Sequence, residues 1–267
     1  MHTTTATVIA IGNQKGGVGK TTNCVHLAAA LGSTGDRCLV IDLDPAAGAT
    51  KHLGVQQDSY AGSLELLTTD ESPENFVITA GMPDGVHLIP SRTQLAEIET
   101  LLSKFADRTR LFEPVLPQLR ATYDYILLDT GPSAGFATTV AAYCAAEWFL
   151  LSAFPHPLSM GGLTEAFRDI GDVRRHRNPN LEILGVIFTN VDRRARRLRA
   201  RLETVVARLS RGGSSSRRSP RVWCCPPSRV QASPSSRMRV SGSTRARSNT
   251  CRSPARYGTA SRTARRS

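Results

Sequence analysis

The sequence of residues 1–209 predicts an α/β fold with a mostly parallel, doubly wound sheet, and three observations carry that expectation. Short apolar runs alternate with segments of helical periodicity. Several of the runs are continuously apolar, as strands covered on both faces are. A glycine-rich loop joins the first run to the first helix.

In chain order, the apolar stretch Ala6 to Ile11 places a strand at Thr7–Gly12, and the pattern from Cys24 to Leu31 places a helix at Thr21–Leu31. Leu39-Val40-Ile41 marks a strand at Cys38–Asp42, followed by a strand at Val86–Pro90 and a helix at Gln94–Lys104. Four apolar residues ending in an acid mark Tyr125–Asp129; the helix Phe136–Ala145, the strand Trp148–Ser152, the helix Thr164–Arg174 and the strand Leu184–Thr189 complete the alternation. Asp192 is placed to cap a last helix, Arg193–Leu209, in which Leu198, Leu202, Val205 or Val206, and Leu209 recur at helical spacing. In such a sheet, ligands sit at the carboxyl ends of the strands. The chain has no internal repeat.

The loop is the most informative segment. Lys15-Gly16-Gly17-Val18-Gly19-Lys20-Thr21-Thr22 lies between strand and helix. Glycines let successive backbone N–H groups face one concave site, and the helix start adds its positive dipole end. Lys20 supplies a point charge and Thr21 a hydroxyl suited to a magnesium ion. The fitting occupant is the phosphate chain of a nucleotide. The ordinary pattern, with glycine five positions before Gly19, is broken by Gln14, and a second lysine, Lys15, precedes the paired glycines.

Two acidic positions at strand ends belong with this loop. Leu39-Val40-Ile41-Asp42-Leu43-Asp44-Pro45 runs into two acids at alternate positions, and Asp129 ends the later strand. A metal bridging two phosphates needs a nearby carboxylate, and an attacking water needs orientation in line with the leaving group. Asp129 suits the metal and Asp44 the water; the alternative is that each is only a solvated turn residue or a helix cap.

The net charge of +12 divides unevenly. Residues 210–267 hold 14 arginines and no lysine or acid, whereas residues 1–209 hold 20 basic residues against all 22 acidic ones. The basic excess therefore lies outside the part that can bury a core. After Leu209 the composition turns to Ser, Arg, Pro and Gly without apolar periodicity, so a boundary is placed at 209/210, with a disordered tail over 210–267. Within the first part, Arg193, Arg194, Arg196, Arg197 and Arg201 crowd the start of the last expected helix. They suit phosphate contacts on double-stranded DNA without base readout, the alternative being a merely solvated face.

Other chemistries find no support. The six cysteines lack C-x-x-C spacing and read as inert thiols, and no His/Cys cluster forms. Ser133 lacks the G-x-S-x-G elbow of a serine nucleophile. The chain has neither a long apolar span nor a signal-peptide layout at Met1-His2-Thr3-Thr4-Thr5, so a cytoplasmic location is expected, with no membrane contact.

Asn13 through Thr22, Ile41-Asp42-Leu43-Asp44-Pro45 with Gly48-Ala49-Thr50, and Asp124-Tyr125-Ile126-Leu127-Leu128-Asp129 together resemble the ParA/Soj partitioning ATPases, which carry a deviant Walker A P-loop. The resemblance spans residues 5–209. It implies ATP and Mg²⁺ as cofactors: Gly16, Gly17, Val18 and Gly19 cradle phosphates, Lys20 holds the β- and γ-phosphates, Thr21 binds Mg²⁺ and Thr22 supports the α-phosphate. It also implies that Lys15 acts across a dimer, Asp44 orients the lytic water and Asp129 supports the metal. An ATP-dependent homodimer, nonspecific DNA binding and a centromere-binding, ParB-like partner follow from the same resemblance. Asn190 is placed either to approach the adenine or to form a plain turn. Ala46 and Gly131 depart from the family's usual Gln and Pro, and nothing in 210–267 resembles its final strand, its adenine-pocket loop or its closing helices. A nonenzymatic Arg-rich nucleic-acid-binding protein is the alternative; a MinD-like membrane regulator would need a C-terminal amphipathic helix, and the proline-bearing tail of this chain has no apolar stripe to form one.

The abrupt compositional change reads as a shifted-frame ending, and the competing origin is a genuine basic arm. Resequencing tests the first. The second predicts that deletion of 210–267 lowers DNA affinity and flattens its salt dependence, by about 0.9 in log–log slope per lost phosphate contact.

Overall fold

The computed structural model describes residues 5–102, 107, 109–132, 136–155, 159–190, 204 and 221–224. All of these lie in a compact unit spanning Met1–Arg237; a second unit, Met238–Ser267, falls outside the described residues.

The elements run β1 (Thr7–Gly12), α1 (Lys20–Gly32), β2 (Cys38–Leu43), α2 (Gly48–His52), α3 (Ser63–Thr68), β3 (Val86–Ile89), α4 (Ile98–Leu101), α5 (Leu116–Thr122), β4 (Tyr125–Thr130), α6 (Ala137–Ala145), β5 (Trp148–Ala153), α7 (Ser159–His176), β6 (Glu182–Phe188) and β7 (Arg221–Cys224). The strands form one parallel sheet in the order β3-β2-β4-β1-β5-β6-β7. The doubly wound α/β expectation is met. Because the strands are parallel, their carboxyl ends share one edge, and β1 lies at the centre of it.

Continuous apolar runs are what this architecture demands, since helices cover both faces of the sheet. Leu39, Val40 and Ile41 of β2 and Ile126, Leu127 and Leu128 of β4 are all fully buried. Each such side chain contributes roughly 1.5–3 kcal/mol relative to exposure. Thr7↔Tyr125 and Ile11↔Asp129 bound the β1–β4 register, so the acid ending β4 stands beside the last residues of β1.

Four differences from the sequence-based expectation have physical reasons. The expected helix Gln94–Lys104 begins as a 3-10 turn, Thr93–Glu97, and is α-helical over Ile98–Leu101, while its last residues, 103 and 104, lie outside the described residues. The helices α2, α3 and α5 were not expected, being too short, at five to seven residues, to develop a periodic stripe. The helix α7 begins at Ser159, earlier than expected, and ends on Arg174, Arg175 and His176, cations that suit a helix C-terminus. Within 210–267, where no strand was expected, Arg221–Cys224 pairs with β6 over Gly185↔Arg221 to Phe188↔Cys224. Four residues are too few for an alternating pattern, yet Val222 packs against the core. The basic helix expected at 193–209, with Arg193, Arg194, Arg196, Arg197 and Arg201, lies outside the described residues apart from Thr204, as do Ser133 and the boundary at 209/210. Among the described residues, no helix is long and apolar enough to cross a membrane.

Gly12 shows how tightly the centre is built. A Cβ there would lie 2.3 Å from the Tyr143 hydroxyl and 2.8 Å from Cε2 of Phe149, whose rings pack edge to face. Gly12→Ala should destabilise the fold by about 1–3 kcal/mol, the usual cost of overpacking. Tyr143→Phe in the same chain should recover part of that loss. Urea titration of the wild type and the two variants checks both expectations.

Candidate functional site

The loop leaving β1 is pinned from three sides. Asn13 is buried; its Nδ2 donates to the carbonyl of Ser152 at 2.6 Å, and its Oδ1 accepts from the Lys15 N–H at 3.0 Å. Ser152, at the end of β5, also accepts through Oγ from Asn23 of α1 at 2.8 Å. From the end of β6, the Thr189 hydroxyl donates to the Val18 carbonyl at 3.0 Å. Gly17 and Gly19 have left-handed backbones, φ 72° and 84°, and a Cβ on Gly19 would lie 2.9 Å from Thr189 Cγ2. Glycine is required at 19 for conformation and for space alike.

Gly19 caps α1 without a side-chain hydrogen bond, and the first turn of α1 carries no acid. The positive end of the helix thus remains available to an anion. Lys15, Gly16 and Gly17 are exposed, whereas Val18 and Lys20 are buried. Lys20 Nζ donates to the Lys15 carbonyl at 3.3 Å and thereby spans the loop. Burial lowers its pKa, and the charges of Asp129 and Asp44 oppose the shift. Thr21 packs under α2: a Cβ on Gly48 would lie 3.0 Å from the Thr21 hydroxyl. Thr22 offers its carbonyl to His26 Nδ1 at 2.7 Å.

The three aspartates have different surroundings. Asp42 and Asp129 are direct partners in the β2–β4 register and both are fully buried. Asp42 accepts from the N–H and hydroxyl of Thr50, each at 2.8 Å, and from the Asp44 N–H at 3.2 Å. Burial still pushes its pKa up to about 6, against those hydrogen bonds. Asp129 has no hydrogen-bond partner on either buried oxygen. Burial first, and the Asp42 charge second, push it up to about 8; the Thr21 hydroxyl and Lys20 ammonium pull the other way without completing a bond. Asp44 is half-buried at the start of the turn into α2, where its Oδ1 accepts from the Ala46 N–H at 2.9 Å. Its carboxyl lies against Gly131, where a Cβ would come 3.6 Å from Asp44 Cγ. Lys20, Thr21, Asp44 and Asp129 therefore meet at one edge of the sheet.

A family model described as an AAA domain matches residues 6–183. The chromosome partitioning protein ParA of Caulobacter vibrioides is 36% identical over 190 residues, covering 70% of this chain and 70% of that protein. The sporulation initiation inhibitor protein Soj of Bacillus subtilis is 33% identical over 187 residues, covering 70% of this chain and 74% of that one. The chain belongs to the ParA/Soj family of P-loop ATPases. Among solved structures, cobyrinic acid a,c-diamide synthase from Mycobacterium smegmatis, with bound ADP and magnesium, aligns at a TM-score of 0.69 and 33% identity over 75% of this chain and 81% of that one.

Several residues that support this ParA-family loop escaped sequence reasoning. Ser152 and Thr189 each follow an apolar run, and a lone polar residue at such a strand end is the signal that would have found them. Asp42, read only as one of two acids, organises the turn through Thr50, whose hydroxyl also accepts from the Ser91 N–H at 2.9 Å. Asn190, beside Thr189, is exposed with a left-handed backbone, φ 59°, a conformation that asparagine tolerates in turns.

Asp129 also tests what the site can hold. A buried carboxylate with both oxygens unpartnered, next to a threonine hydroxyl, is suited to a hard cation. Among the described residues, no three His, Cys, Asp or Glu side chains converge as a metal cage, so phosphate oxygens would have to complete the shell. Without such a cation, Asp129 holds a proton that the unfolded chain, with a carboxylate pKa of about 4, releases. Its contribution to stability is therefore fully present below about pH 4 and is lost as pH rises through about 8. Asp129→Asn should remove up to about 1.4 kcal/mol per pH unit of that dependence between pH 5 and 8. Urea titrations of nucleotide-free protein across that range check this.

Proposed function

We propose that this chain binds ATP with Mg²⁺ and hydrolyses it as a partitioning ATPase. The observation that carries the reading is the meeting of the phosphate loop, the half-buried Asp44 and the unpartnered Asp129 at one sheet edge. The backbone of Gly16 to Gly19 and the start of α1 cradle the phosphates, and Lys20 leaves the Lys15 carbonyl for the β- and γ-phosphates. Thr22 supports the α-phosphate. Thr21 and Asp129 hold Mg²⁺, which neutralises charge at the phosphates when bound. Asp44, fixed by the Ala46 N–H, orients the attacking water.

Lys15, exposed at the loop crest, reaches the nucleotide of a second copy in an ATP-dependent homodimer. Asn190, exposed just past β6, approaches the adenine. The basic segment bearing Arg193, Arg194, Arg196, Arg197 and Arg201 contacts DNA phosphates nonspecifically and associates the dimer with the nucleoid, and a ParB-like partner stimulates turnover. The names of the Caulobacter and Bacillus relatives support the partitioning context. The ADP and magnesium in the mycobacterial structure support the cofactors.

ATP binding, sedimentation and turnover, with and without DNA, test the reading. Lys20→Ala should abolish ATP binding. Lys15→Ala should keep binding while losing dimerisation and turnover, and Asp44→Ala should hold an ATP-bound dimer on DNA with turnover reduced about 100-fold or more. Equal loss of ATP binding in both lysine variants, or wild-type turnover in Asp44→Ala, contradicts the assigned roles.

A further inference from the structure

Gln14 stands where the ordinary phosphate loop has glycine, and its side chain leaves the loop altogether. Its amide Nε2 donates to Oδ2 of Asp169, in the middle of α7. The contact joins residues 155 positions apart and is the route by which α7 touches the residue preceding Lys15. We propose that Asp169 is a positioning residue: through Gln14 it fixes the path of Lys15 and couples α7 to the nucleotide loop.

Four observations support this. Asn13 is immobilised by Ser152, and its own side chain holds the Lys15 N–H, so the Gln14–Asp169 bond adds an anchor from α7 to a stretch otherwise held from β5. Asp169 is half-buried, so its hydrogen bond is partly shielded from competing water. Ile170 and Val173 of α7 are buried in the core, so the helix offers Asp169 from a rigid support. Finally, the Lys15 carbonyl is the acceptor of Lys20 Nζ, so a shift of the backbone at 14–15 reaches both lysines. A glycine at position 14 would remove this contact with α7.

The inference rests on the proposed ATPase for its functional consequence but not for its structural one, and the test keeps the two apart. Hydrogen exchange of the loop amides in nucleotide-free protein reads the tether directly. Asp169→Ala should speed exchange at Lys15 to Gly17 about tenfold, and Asp169→Asn, which still accepts from Gln14, should leave it near wild type. Gln14→Ala should match Asp169→Ala, and the double variant should be no worse than either single one, as expected of two ends of one bond.

In turnover assays, Asp169→Ala should keep ATP affinity within about twofold while lowering kcat about tenfold, with Asp169→Asn restoring it. Additive losses in the double variant, or loop exchange unchanged in Asp169→Ala, would overturn the tether. Accelerated exchange in Asp169→Ala, together with a wild-type chain that never turns over ATP, would uphold the tether and reject the ATPase reading.

Discussion

Two carboxylates facing each other across adjacent strands of a dry parallel sheet cannot both carry charge at low cost, and much of the site follows from how Asp42 and Asp129 divide that burden. Thr50 and the Asp44 backbone supply three hydrogen bonds to Asp42 and none to Asp129. Asp42 is thereby equipped to hold the negative charge, and Asp129 is kept protonated until something cationic arrives. The same hydrogen bonds that favour charge on Asp42 also shape the turn that presents Asp44. One acid is spent on architecture so that its neighbours remain available for chemistry.

The turn after β2 shows the cost of this arrangement. Ala47 is fully buried with a left-handed backbone, φ 53°, a conformation that costs a non-glycine residue roughly 1–2 kcal/mol. The surroundings hold it there: the Ala47 N–H bonds the Asp44 carbonyl at 2.8 Å, Lys51 Nζ donates to the Ala46 carbonyl at 2.8 Å, and Gln57 donates to the Pro45 carbonyl at 3.0 Å. Asp44 is thus carried by a turn whose every carbonyl is engaged, at the mouth of the cradle formed by α1.

The sheet was legible in the sequence because burial on both faces leaves a strong mark: Leu39 to Ile41 and Ile126 to Leu128 have no polar interruption. The phosphate loop was legible because glycine at 17 and 19 answers a backbone requirement that few other residues meet. The short helices left no such mark, since Gly48–His52 makes barely more than one turn and forms because Thr50 is tied to Asp42. Nor could any local pattern disclose that Gln14 reaches Asp169, or that Ser152 and Thr189 brace the loop. Those contacts depend on strand order, which brings β5 and β6 to the side of β1 only once the whole sheet has formed.

That dependence on strand order bears on how the protein is made. The segment that cradles phosphate emerges from the ribosome early, yet Val18 waits for Thr189, 171 residues later, and Asn13 for Ser152, 139 residues later. At about 5–20 residues per second, the first delay alone lasts roughly 10–30 s. Throughout that interval the nascent chain displays a lysine- and glycine-rich loop without its braces. The ability to grip a nucleotide is therefore conferred late in synthesis, by the strands that close the sheet and not by the residues that would touch the ligand.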